Sequence, residues 1–534
     1  MLSAKKICSY ILPLIILGGC NKTINSLQEN PNQAVSSPPD LILGTVLTAL
    51  SGTSTNGDLA GSGSWDDVHK YNQYYLGAYA YYGDNQYGWS SGSFNSYLVM
   101  KNVVQMEKAA AAQGLPAANA YESIGKFIRA WYLYNLTSLM GDVPTSEALQ
   151  EQNMSPAYDS QKDVFKYILN TLDSANAHLS VMAAAKDATL TGSVQDIYFG
   201  GDLAKWQKAV NVFRLRVLVS LSKKATDADL QIPAQFAKII GNPATYPIFN
   251  SAAEDLAFTY IQNYNQYPLN SANFGSTATR YCMSKTYVQS LTALSDPRVY
   301  ITCEPAWALV DSLSYDPLDF RAFVGQSTGS PMGVVEPQTN GKYVSLINRK
   351  RYYSTFTGDK DVLLGYAEMC FNIAEAINRN WAAGNAEDWY KKGIQASMAF
   401  YGLSSSKTSY SAYFLKKGDL NDIQEYPFTF SFDNYYNQEE VVYAGGATGL
   451  HQVLMQKYIA MFQNSGWEAY YNYRRTGVPA FEGGSGIGNN GNVPSRWAYP
   501  SSEQNQNKVH WQAALTNQGF STDDINGQMW LLKN

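Results

Sequence analysis

Along much of the chain, apolar residues return every three or four positions, the spacing of one helix face. Ile124, Phe127, Ile128 and Trp131 form one such stripe, and Phe165, Ile168, Leu169 and Leu172 form another. The pattern recurs at Trp206, Ala209, Val210 and Phe213, and again at Tyr366, Met369, Cys370 and Ile373. A fifth helix is predicted from about Ala386 to Tyr401, with Gly402 as its stop. Several of these helices follow one another as pairs, as in helix-turn-helix repeats of the tetratricopeptide kind, although no strict repeat with a period of about 34 residues is visible. Between them lie long irregular stretches over 51–96, 260–360 and 476–510, rich in Gly, Ser, Asn, Pro and Tyr. Loops of this length are functional or disordered, and their aromatic content argues against disorder. The pattern predicts one mainly helical domain over 41–534 whose ligand surface is built from loops.

The first twenty residues have a different character. Lys5 and Lys6 precede the apolar run Ile11–Leu17, which Pro13 interrupts, and Leu17-Gly18-Gly19-Cys20 closes the segment. This reads as a secretory signal peptide over 1–19, too short to span a bilayer. The Leu-Gly-Gly-Cys ending resembles the bacterial lipobox, so Cys20 is expected to carry lipid and to begin the mature chain. Residues 20–40, with Pro31, Pro38 and Pro39, read as a tether. No later stretch is apolar for long enough to cross a membrane.

Composition narrows the function. A formal charge of −5, or −7 without Lys5 and Lys6, argues against a nucleic-acid partner. Once Cys8 leaves with the signal and Cys20 is acylated, Cys282, Cys303 and Cys370 remain, too few and too far apart for a disulfide framework or a C-x-x-C metal site. The chain has 40 Tyr and 11 Trp against 4 His. Rings with an apolar face and a polar edge suit amphipathic ligands such as sugars or peptides, whereas the usual proton shuttle and metal ligand is scarce. Binding is expected rather than catalysis, with no cofactor and no metal.

Short blocks in a fixed order carry a family resemblance. They include Asn30-Pro31-Asn32, Gly141-Asp142-Val143-Pro144, Trp206-Gln207-Lys208 leading to Arg214-Leu215-Arg216, and Asp296-Pro297-Arg298. Leu363-Leu364-Gly365-Tyr366-Ala367-Glu368 continues through Glu375 to Trp389-Tyr390. Tyr473-Arg474-Arg475-Thr476-Gly477-Val478-Pro479 and Val493-Pro494-Ser495-Arg496 follow. With the lipobox, these blocks resemble the SusD/RagB (SusD-like) nutrient-binding outer-membrane lipoproteins of Bacteroidetes across nearly the whole chain. The resemblance implies tetratricopeptide-like helix pairs packed on a loop-rich half. It also implies a partner, a SusC-like TonB-dependent barrel that receives oligosaccharide or, in some members, peptide. A lipid-anchored protein facing the cell exterior is the expected setting. Here Asn21-Lys22-Thr23 follow the cysteine, where many surface-displayed members carry acids.

The site expected to hold ligand is the aromatic segment from Trp65 to Trp89. Its candidates are Trp65, Asp67, Asn72, Tyr75, Tyr81 and Trp89, with Tyr281 and Trp307 completing an arc. Trp65 and Trp89 stand out because they lie in Gly/Ser-rich loops, whereas Tyr71, Tyr74, Tyr75 and Tyr82 have helical spacing that suits a core equally well. Glu368 and Glu375, two turns or about 10 Å apart on one helix, suit ion pairs with arginines such as Arg214 or Arg216 better than a hydrolytic carboxylate pair. Arg474 and Arg475 are expected to tie helices together. Gly88-Trp89-Ser90-Ser91-Gly92 matches the hydrolase elbow but has a polar lead-in instead of an apolar strand, and Gly486, Gly488 and Gly491 lack the strand and helix of a dinucleotide site. A surface serine hydrolase and a peptide-binding member of the family remain the alternative readings.

Overall fold

The computed structural model describes residues 37–51, 63–83, 89, 91–416 and 420–534. The expected signal segment, Cys20 and most of the tether lie outside the described residues. The chain takes up α1 at Pro39–Leu50, with proline in the first turn, where its missing N–H costs nothing. A single turn, α2 (Asp67–Tyr71), precedes α3 (Ser96–Ala112), α4 (Ala120–Met140), α5 (Gln161–Ala184) and α6 (Leu203–Ser220). Further along come α7 (Tyr366–Asn378), α8 (Ala386–Phe400), α9 (Gly446–Ala460) and α10 (Glu468–Thr476). Each predicted stripe falls on one of these helices.

Capping explains where several begin. Asn119, Ser160, Asp202 and Asn385 each accept a backbone N–H of the first turn that follows. The predicted stop after α8 is met, with Gly402 in the left-handed region at φ 80°. Consecutive helices pack in pairs: α3 on α4, α4 on α5, α5 on α6, and α7 on α8. Helices α4 and α6 are buried almost all round, and α7 packs on α6, so the repeats share one core rich in Leu, Ile and Val.

The second half of the interior is aromatic. Trp65, Tyr74, Tyr75, Tyr287, Tyr352 and Phe462 belong to a separate buried cluster built largely from irregular segments. Regular β-structure there is slight: three two-stranded antiparallel pairs among the described residues. Strand β1 (Tyr75–Gly77) pairs with β3 (Tyr281–Met283), β2 (Leu256–Phe258) with β4 (Asp361–Leu364), and β5 (Ser409–Leu415) with β6 (Ile423–Thr429). Cys282, Cys303 and Cys370 are buried free thiols. No helix among the described residues is long and apolar enough to cross a membrane.

A charged seam joins the helices. Arg216 on α6 holds Glu368 on α7 bidentately at 2.7 and 2.6 Å, and Glu368 also accepts from Ser465 at 2.7 Å. Arg475 on α10 pairs with Glu375, which Arg379 also holds at 2.9 Å. The two glutamates are therefore structural, as their setting in the sequence suggests, but Arg214 pairs with Asp173 instead of either of them. Burial pushes the Glu375 carboxyl up, yet the Arg475 guanidinium outweighs it and holds the group at about 2. Arg474 ties α10 to α4 and to the 477–500 loop by donating to the Ser138 and Ser495 carbonyls.

Candidate functional site

The irregular segments and the end of α4 enclose a cavity of about 620 Å³ whose walls include Asp67, Tyr71, Ser91, Tyr281, Trp467 and Trp497. Its most distinctive wall is a cluster of half-buried rings. Tyr71, at the end of α2, stacks on Trp467 at 5.3 Å and 13°, and Trp497 meets it edge-on at 5.3 Å. Trp89 leans on the same tyrosine at 5.0 Å and on Trp497 at 6.0 Å. The Trp89 indole N–H donates to the Ile487 carbonyl at 2.9 Å, fixing the ring against the 477–500 loop. Loop and helix-end positions thus supply rings that the helical core does not consume.

Polar groups stand beside them. Asp67 is mostly exposed and pairs with Lys70 one turn on, at 2.8 Å. Ser91, Ser93 and Asn135 face the same cavity. Tyr281 forms another part of the wall, its ring edge-on to Tyr75 at 5.4 Å. Burial raises the Tyr281 hydroxyl above its usual range, and the carboxylate of Asp67 raises it further, so it remains a neutral donor. Just beyond the β1–β3 pair, Tyr79 and Tyr82 flank Arg280, whose guanidinium lies 4.5 Å from the Tyr79 ring centre, and Tyr81 packs on both tyrosines. Tyr81 is 78 % exposed.

The predicted residues therefore divide. Asp67, Trp89 and Tyr281 come to the groove or its ring cluster, and Tyr81 stands on the adjoining exposed patch. Trp65 does not present its ring to solvent: it is 7 % exposed, lies between Tyr352 and Phe462, and donates its indole N–H to Tyr267 at 2.8 Å. Only an edge of the residue reaches the cavity lining. Asn72 is fully buried and works as a tie, donating to Gly466 O at 2.8 Å and accepting from Tyr470 N at 2.9 Å. Tyr75 is buried with its hydroxyl on Trp65 O at 2.7 Å. Trp307, 4 % exposed, packs in the second core and does not line the groove. In each case the loop folds back on itself and spends the residue on its own interior.

Trp467, Trp497 and Tyr71 are the groove residues that the sequence reading does not select. The criterion applied to Trp89, a tryptophan next to glycine and serine outside a helical stripe, also fits Ser465-Gly466-Trp467. Of the hydrolase-like motif, Gly88 and Ser90 lie outside the described residues. Gly486, Gly488 and Gly491 fall in and beside two short 3-10 turns instead of a strand-to-helix crossing. No group of three or more His, Cys, Asp or Glu that could hold a metal occurs among the described residues.

Comparison with known proteins agrees with this architecture. Residues 31–500 match the SusD-like family model described as starch-binding, associating with the outer membrane. A SusD homologue from Bacteroides fragilis is 27% identical, with a TM-score of 0.76 over 93% of this chain and 100% of that one. A second from the same organism is 28% identical at a TM-score of 0.75, again over 93% and 100%. A chitin-binding SusD homologue from Flavobacterium johnsoniae shares the fold at 18% identity and a TM-score of 0.68, over 93% of this chain and 99% of that one. No curated protein matches the chain significantly. The chain belongs to the SusD-like family and is a nutrient-binding protein associated with the outer membrane, not an enzyme.

Proposed function

We propose that the chain captures oligosaccharide in the groove walled by Tyr71, Trp467 and Trp497, with Trp89 packed in the same ring cluster, and passes it to a SusC-like TonB-dependent barrel. The ring cluster is the observation that carries this reading. A sugar ring has an apolar C–H face and a rim of hydroxyls, so flat aromatic surfaces beside Asp67, Lys70, Ser93 and Tyr281 complement both parts. Lys70 is neutralised by Asp67 at 2.8 Å, so among the described residues the wall offers no free cation to a uronic acid, which favours neutral sugars. The chitin-binding relative of the same fold supports a glycan as the ligand class. Aromatic contacts add about 0.5–1.5 kcal/mol each beyond buried area. Two or three of them with a few hydrogen bonds correspond to roughly micromolar to millimolar affinity, suited to a ligand that must be released onward. The lipobox supports anchoring through Cys20, with the binding half facing the cell exterior.

An array of oligosaccharides and peptides presented to the full mature chain tests the ligand class. Binding confined to neutral glycans is expected, whereas binding confined to peptides moves the groove to the peptide-binding branch of the family. Delivery is tested separately, by co-purification from membranes with a large barrel protein.

A further inference from the structure

The turn that leads into α2 meets strand β4 at a place where buried oxygen atoms gather. Asp361, the first residue of β4, is 1 % exposed, and neither of its carboxyl oxygens has a hydrogen bond of good geometry, the Ser64 backbone N–H being its one weak donor. Across from it stands Asp66, half-buried, with one oxygen accepting Gly63 N–H at 3.1 Å. The hydroxyl of Tyr260 is also buried without a partner. These groups converge: the position that a Cβ on Gly63 would take lies 3.3 Å from Asp66 Oδ2, 3.5 Å from Asp361 Oδ2 and 3.5 Å from the Ser51 carbonyl oxygen. The groups that act electrostatically on Asp361 and Tyr260 are the Asp66 carboxylate and Ser64, with the Tyr198 hydroxyl also within Asp361's field; no lysine or arginine is among them. His69 lies in the same turn, but burial lowers it to about 3, so it is neutral and brings no positive charge.

An uncompensated buried carboxylate is among the most costly features a fold can carry. A proton on Asp361 removes the charge but still leaves a buried carboxyl oxygen without a donor of good geometry. We propose that Asp361, Asp66 and the Ser51 carbonyl, with the Tyr260 hydroxyl alongside, hold a hard divalent cation of the calcium class. Calcium accepts carboxylate and carbonyl oxygens in flexible geometry and completes its six to eight ligands with water. The donor set is oxygen only, without thiolate or imidazole, and does not suit zinc. The cation fastens the segment carrying Asp67 and Tyr71 to the strand that leads into α7, so it supports the groove from behind without touching ligand.

The test uses thermal unfolding of the chelator-stripped mature chain with EDTA, Ca²⁺ or Mg²⁺, and no nutrient present. Calcium is expected to raise the melting temperature of the wild-type chain by a few degrees, magnesium by less, and neither to move Asp361→Asn. An unchanged wild-type melting temperature with calcium overturns the proposal, as does an equal calcium response in Asp361→Asn. Should that variant not fold, Asp66→Asn at the half-exposed partner serves instead. Calorimetric titration of the stripped wild-type chain with calcium must then show one site that this variant weakens at least tenfold. No heat of binding, or an undiminished site, overturns the proposal.

Discussion

In the helical half, burial is done by branched aliphatic side chains such as Ile124, Ile128, Leu169 and Leu172, whose backbone polar groups are satisfied within the helices. In the loop-rich half the same task falls to Trp65, Tyr74, Tyr75, Tyr300 and Tyr458, most of them in or packed against segments with little regular structure. There the phenol groups do a second job. Tyr74 donates to Tyr458 O, Tyr75 to Trp65 O and Tyr300 to Leu318 O, each at 2.7 Å, and Tyr458 donates to Gln73 O at 2.9 Å. A tyrosine-rich interior thus supplies donors to loop carbonyls such as those of Trp65, Gln73 and Leu318. Much of the tyrosine excess is spent on this, and only the remainder is presented to a ligand.

The contrast can be broken most severely at the seam between helices. Arg216→Ala leaves Glu368 buried and unpaired, and should cost about 3–5 kcal/mol in denaturant unfolding. Trp65→Ala should cost a comparable ~3–5 kcal/mol by opening a cavity in the aromatic core. Trp89→Ala, at a half-buried ring, should leave the melting temperature nearly unchanged. Tyr74→Phe removes one buried hydrogen bond, to the Tyr458 carbonyl, which keeps the Met461 N–H at 3.2 Å. About 0.5–1.5 kcal/mol is expected, comparable to a methylene deletion such as Ile128→Val in the helical half.

Acid sharpens the comparison further. The Glu375 carboxyl is held at about 2, below its ordinary 4.5, so its pairing with Arg475 stabilises the fold fully above pH 4.5. That contribution fades as pH falls from 4.5 towards 2. Glu375→Gln should flatten the acid limb of a stability-against-pH curve. Asp255 behaves oppositely: burial lifts it to about 7, and its charging becomes a penalty as pH rises from about 4 to 7. Asp255→Asn should therefore gain stability at pH 8 relative to pH 5.

How legible each half is in the sequence follows from the same physics. The helices show themselves because their burial repeats locally, from Ile124 to Trp131 or from Tyr366 to Ile373, and stops at recognisable residues such as Gly402. That Glu368 and Glu375 need arginine partners is also legible, because a charge inside an apolar stripe requires one, but which arginine serves which glutamate is not, since Arg214 goes to Asp173 and Arg475 to Glu375. Trp65 was not, since the residues that enclose it, Tyr267, Tyr352 and Phe462, lie some two to four hundred positions away and no local pattern announces them. Trp467 escaped for the complementary reason. It begins a helix, yet its ring turns out to stack on Tyr71 from a distant turn.

The claim that the groove rings hold sugar is tested most directly by calorimetric titration of the best oligosaccharide against the wild-type chain and Trp89→Ala, with Trp65→Phe as a core control. Affinity should fall about tenfold for Trp89→Ala, consistent with the loss of one stacked ring, and stay near wild type for the control. Unchanged affinity in Trp89→Ala, with equal melting temperatures, would contradict the account.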